Sequence, residues 1–155
     1  VHESNGIDSD AVKQAAATNQ RMTDLSEAGD RIGDVALLRI NPIHHTIALA
    51  PADRSGIHHI NHQVATNDDL FRAYYFLSDK RIPIVFGPGR HPTSGARFLY
   101  FRGPDGLVFE YSCGVDAIDD ESTHRARSFL PEPLSVCMWG ARWNEEGWIR
   151  DRVGV

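Results

Sequence analysis

Two stretches decide the fold: GIHHINHQV (56–64) and GPGRHPTSGARFLYFRGPDGLVFEYSCG (87–114). In the first, alternation at period two puts His59, Asn61 and Gln63 on one face of a strand. His58, Ile60, His62 and Val64 take the other face. A face of His, Asn and Gln is not a core, because buried polar groups cost free energy unless paired; it suits a wet cavity. In the second stretch, ARFLYFR (96–102) and LVFEYSC (107–113) read as strands joined by the tight turn GPDG, with GPGRHPTSG (87–95) as a loop before them. Glu110 stands among apolar neighbours, either on the exposed face of an antiparallel sheet or buried with a partner or a metal.

Working outward, TNDD (66–69) starts a helix over LFRAYYFLSDK (70–80), with Tyr74, Tyr75 and Phe76 as helix core. RIPIVF (81–86) is an edge or irregular strand because of Pro83. The order after residue 56 is therefore strand, helix and three strands. A ragged version of it precedes residue 51. Asp8 or Asp10 caps a helix over 11–22, and VALLRI (35–40) and HHTIALA (44–50) are strands, the latter with His45, Ile47 and Leu49 on one face. The expected fold is α+β, with paired βαβββ modules: a degenerate or truncated first module over about 1–51 and a second over about 57–113. Residues 114–155, with Trp139, Trp143 and Trp148, form a tail packing over this domain (1–113).

The 155 residues suit a single domain with a real core, and the formal net charge of -5 argues against a nucleic-acid backbone binder. No run reaches the ~18 apolar residues of a membrane span, and no signal-peptide core is present. Two cysteines, Cys113 and Cys137, make no disulfide framework and read as buried thiols in a cytoplasmic protein. The chain starts at Val1, as a processed product or a piece of something longer would.

The combination Gly89-Arg90-His91, Leu99-Tyr100, Pro104-Asp105-Gly106 and Glu110, with both HH pairs, resembles the C-terminal catalytic domain of type I extradiol ring-cleaving catechol dioxygenases, of the vicinal oxygen chelate fold. The resemblance covers 31–113 well and 8–30 loosely. It implies a non-haem Fe(II) site, with Mn(II) as a variant, acting on a catechol-type diol and O2. His59 and Glu110 match metal ligands of the family, and His2 is the candidate for the third. His45 matches an acid/base histidine; His91 and Tyr100 match residues that hydrogen-bond the catecholate and its ring-cleavage intermediates. Thr93, Phe98 and Asn61 are assigned to substrate binding. Thr93 and Gly103 depart from the usual pattern, and VHESNG around His2 is a poor buried strand. Relatives carry an N-terminal domain ahead of this one and assemble into homo-oligomers, so both are expected partners here.

The leading expectation is extradiol cleavage of a catechol. The alternative is a fragment or degenerate member that binds an aromatic ligand without catalysis, turning on His2. A glyoxalase-like isomerase or antibiotic-binding protein is a third reading; it has no need of His45, His91 and Tyr100 together.

Overall fold

The computed structural model describes residues 29–144. His2, the expected helix over 11–22 and Trp148 lie outside the described residues. Ten elements follow: β1 (Arg31–Ile32), β2 (Val35–Leu38), β3 (Ile47–Leu49), β4 (His59–Gln63), α1 (Asn67–Asp79), β5 (Ile84–Arg90), β6 (Arg97–Arg102), β7 (Val108–Cys113), β8 (Ser128–Phe129) and α2 (Pro133–Val136). They build two four-stranded sheets, ordered β3-β2-β1-β8 and β4-β7-β6-β5. The second unit is the expected βαβββ module: β4 runs parallel to β7, and β7, β6 and β5 are mutually antiparallel. In the smaller sheet β3 and β2 pair antiparallel, as do β2 and β1, and β8 adds parallel to β1.

Thr66 starts α1 through a capping box. Its hydroxyl accepts from the Asp69 amide at 3.1 Å, and the Asp69 carboxylate accepts from the Thr66 amide at 3.0 Å. Leu70, Tyr74 and Leu77, spaced by a helical turn, pack on Leu99, Tyr111 and Cys113 of the sheet. Tyr75 and Phe76 are not helix core. They project from the opposite side and are 69% and 58% exposed, because only one stripe of a helix meets one sheet.

The opposite face of the large sheet carries Phe86, Phe98, Tyr100 and Val108 in a second cluster. Residues of the C-terminal segment cover part of it. Trp143 stacks on Phe86 at 3.8 Å between ring centroids, Cys137 is wholly buried, and the Asn144 amide donates to the Val85 carbonyl at 2.8 Å. Segment 116–118 stitches the two sheets: the His44 amide donates to the Asp116 carbonyl, and the Asp116 amide to the Ser94 carbonyl.

One expected loop is a strand. Residues 87–90 belong to β5, which keeps Gly89 opposite Phe98 and Arg90 opposite Arg97 by two register shifts. β5 is an edge, so the missing N–H of Pro88 interrupts no inner ladder. Among the described residues no helix is long and apolar enough to cross a membrane.

Gly89 is fixed by space. A Cβ there would lie 2.3 Å from the Phe98 ring and 2.7 Å from the Cys137 sulfur. Gly89→Ala is expected to lower stability by about 1–3 kcal/mol through overpacking. Gly56→Ala, whose Cβ meets nothing within 4 Å, should stay within about 0.5 kcal/mol of wild type in the same denaturant titration.

Candidate metal and acid–base site

Pairing register brings the site together on the face of the large sheet that α1 leaves uncovered. Asn61 lies opposite Glu110 across β4 and β7, and Tyr100 lies opposite Glu110 across β6 and β7. His59 is two residues from Asn61 and so shares its face. Glu110 is only 4% exposed, which rules out the solvent-facing alternative for this carboxylate. His59 Nε2 stands 3.3 Å from Glu110 Oε2, and His91 Nε2 stands 3.5 Å from Glu110 Oε1. Tyr100 reaches His91 Nε2 with its hydroxyl at 3.2 Å.

Burial alone would raise the Glu110 pKa, but hydrogen bonds from His59 and His91, and their charge, hold it well below the usual carboxylate range. Burial and the Glu110 charge push Tyr100 far above its ordinary value, so it remains a proton donor at neutral pH. Burial lowers His45 to about 4, with His44 adding to the effect and Glu110 opposing it. His45 is therefore a neutral base near neutral pH, within electrostatic reach of Glu110, His91 and His59.

Each histidine has a partner for its far nitrogen. His91 Nδ1 lies 2.7 Å from the Val136 carbonyl, so Nδ1 carries a hydrogen and donates there, while Nε2 faces Tyr100 and Glu110. His59 Nδ1 lies 2.6 Å from His58 Nδ1, and His45 Nδ1 lies 3.0 Å from His44 Nδ1. Asn61 is tied to Ser112: its amide donates to the hydroxyl at 3.0 Å and its carbonyl accepts at 3.1 Å.

Phe98 and Thr93 are not open ligand-facing surface. Phe98 is fully enclosed and stacks on His91 at 4.0 Å between centroids, so it backs the site from behind. Thr93 is buried and its carbonyl accepts from Arg127. His44 is a buried residue, hydrogen-bonded through Nε2 to Asp30 at 3.1 Å. Neither Asp30 nor Arg127 carries a sequence signal, since neither stands in an alternating pattern that marks it as inward.

The donors fit a hard or borderline divalent metal. A carboxylate and an imidazole nitrogen bound at ~2.1 Å on adjacent coordination positions sit about 3 Å apart, close to the His59–Glu110 spacing. Among the described residues no group of three or more His, Cys, Asp or Glu side chains is placed to hold a metal ion. His59 and Glu110 are two donors of that kind brought to one face.

Four buried acid–base groups are displaced in the same direction. Asp30, His44, His45 and Glu110 all sit below their ordinary values, so the unfolded chain binds protons more readily. Their stabilisation is present at higher pH and lost on acidification. For metal-free protein the midpoint of urea unfolding should fall as pH drops from 6.5 toward 4, the window set by His45. His45→Gln should flatten that fall; an unchanged slope would contradict the assignment.

Comparison with known proteins agrees with this architecture. The profile of the Glyoxalase/Bleomycin resistance protein/Dioxygenase superfamily matches residues 13–111. Metapyrocatechase of Pseudomonas sp. (strain CF600) is 25% identical over 116 residues, 74% of this chain and 36% of that protein. The Mn(II)-bound glyoxalase from Novosphingobium aromaticivorans superposes with a TM-score of 0.69 at 32% identity, over 76% of this chain and 39% of the other. Homoprotocatechuate 2,3-dioxygenase from Brevibacterium fuscum, in an anaerobic complex with 3,4-dihydroxyphenylacetate, gives a TM-score of 0.70 at 20% identity, over 80% and 41% of the two chains. The chain spans about two fifths of the length of these proteins. By the match over most of its length, the chain belongs to the Glyoxalase/Bleomycin resistance protein/Dioxygenase superfamily.

Proposed function

We propose that this chain carries the catalytic half-site of an extradiol dioxygenase, which opens a catechol-type ring with O2 at Fe(II), Mn(II) being an acceptable substitute. The observation that carries the reading is the convergence of a buried Glu110 with His59, His91 and Tyr100, and with His45 in electrostatic reach. His59 and Glu110 would hold the metal, and His2 remains the third ligand of this reading. The bound metal supplies a common centre for the diol and O2, lowers the pKa of the diol hydroxyls and makes the redox chemistry accessible.

The residues divide the remaining work. His45, neutral at working pH, takes a proton from a diol hydroxyl and later returns one. Tyr100 keeps its proton and donates to oxygen as negative charge develops. His91 holds that hydroxyl through Nε2 while Val136 fixes the ring. The net reaction breaks the ring C–C bond beside the diol and places both atoms of O2 in the opened product.

A second reading, a metal-dependent glyoxalase-type activity, is favoured by the 32% identity to the Mn(II)-bound glyoxalase. Oxygen consumption separates the two. The dioxygenase reading expects uptake matching catechol loss and a yellow ring-opened product; turnover without oxygen uptake favours the glyoxalase-type reading.

Substitutions sort the roles. Glu110→Ala and His59→Ala should lose bound metal on dialysis. Tyr100→Phe and His45→Ala should keep it and lose about 10²–10³-fold in kcat. Full metal occupancy in Glu110→Ala would overturn the ligand assignment.

A further inference from the structure

A heavily hydrogen-bonded carboxylate lies away from the strands of His59 and Glu110. Asp30 is 1% exposed and receives four hydrogen bonds. Its Oδ1 accepts the Arg127 amide at 2.9 Å; its Oδ2 accepts Arg127 Nε at 2.9 Å, Arg127 Nη2 at 2.6 Å and His44 Nε2 at 3.1 Å. Register explains the meeting: β1 pairs parallel to β8 with Arg31 opposite Ser128, so the preceding residues of each strand face one another. Arg127 also donates to the Thr93 carbonyl in the loop after His91, joining the two sheets. His124 adds a ring nitrogen 3.8 Å from Asp30 Oδ1.

This arrangement sets a chain of donors. Asp30, surrounded by donors, is an acceptor only, so His44 Nε2 carries its hydrogen. A neutral His44 then presents a lone pair at Nδ1. The nitrogen 3.0 Å from it, His45 Nδ1, must donate. His45 is left with its lone pair on Nε2.

We infer that Asp30 and His44 are positioning residues: the line Asp30–His44–His45 locks His45 as the Nδ1–H tautomer and presents Nε2 to the site as the proton acceptor. The benefit is orientational. An imidazole free to exchange tautomers would offer an N–H to the diol part of the time, and a donor there cannot remove a proton. When Nε2 accepts a proton, the imidazolium Nδ1–H already points at the His44 lone pair, and the Asp30 carboxylate stands behind it. This inference rests on the reading of His45 as the acid/base group.

Two readouts test it. Long-range proton–nitrogen NMR of the histidine rings in metal-free protein reports tautomers directly, whatever the enzyme does. The expected result at neutral pH is Nδ1–H for His45 and Nε2–H for His44; an Nε2–H tautomer at His45 overturns the inference. The second readout is turnover of catechol by Fe(II)-loaded variants. His44→Phe removes the acceptor and should lower kcat about 10- to 100-fold with KM within about twofold. His44→Asn, whose side-chain oxygen can replace the Nδ1 lone pair, should restore most of the turnover and the His45 tautomer. Equal kcat in the wild type and the His44→Phe protein, or no difference between His44→Phe and His44→Asn, overturns it. A wild type that shows the expected tautomers but consumes no oxygen supports the positioning and contradicts only the dioxygenase reading.

Discussion

A buried carboxylate is the constraint on which the site depends. Glu110 sits in the middle of β7 and is buried, where an ionised group is tolerated only if its oxygens are matched. Three strands supply the match. β4 brings His59 through parallel pairing, β6 brings Tyr100 directly opposite, and the end of β5 delivers His91 one residue beyond Arg90. Slipping any one of these strands by a residue would turn its partner to the other face and leave the charge unmatched. The register of the large sheet and the chemistry of the site are therefore the same fact.

A second buried anion organises the smaller sheet in the same manner. Asp30 draws Arg127, and with it β8, against β1, while His44 connects the carboxylate to His45. The two anions belong to different sheets; His45 is hydrogen-bonded to the Asp30 partner His44, and is lowered by burial and held up in part by the Glu110 charge. Segment 116–118 and the Arg127–Thr93 bond keep the two sheets in fixed relation. The C-terminal segment packs on the same face, through Trp143 on Phe86 and the Val136 carbonyl on His91.

Much of this was legible in the chain. Period-two alternation found the polar face of β4 and singled out Glu110 in β7, because a strand buried on one face forces every second residue inward. TNDD announced a helix that the Thr66–Asp69 box then confirms. What alternation could not resolve were positions set by bulges and by contacts distant in sequence. GPG read as a loop because Gly and Pro break ladders, whereas an edge strand absorbs them by shifting register. The exposed Tyr75 and Phe76 show the limit of composition: aromatic character does not say which helical stripe meets the sheet. Asp30 and Arg127 are 97 residues apart, and nothing in either local stretch marks the pair. Phe98, assigned to substrate binding, is fully enclosed with His91 stacked on it, a contact seven residues away that alternation does not show.

The central proposal is that the Glu110 face of the large sheet directs O2 onto a catechol ring. Its most direct test is turnover of catechol by the Fe(II)-loaded protein under isotopically heavy dioxygen, with the product read by mass spectrometry. The account predicts a ring-opened acid carrying heavy oxygen in its new carboxylate. A ring-opened or isomerised product without label, or intact catechol after incubation with bound Fe(II), would contradict it.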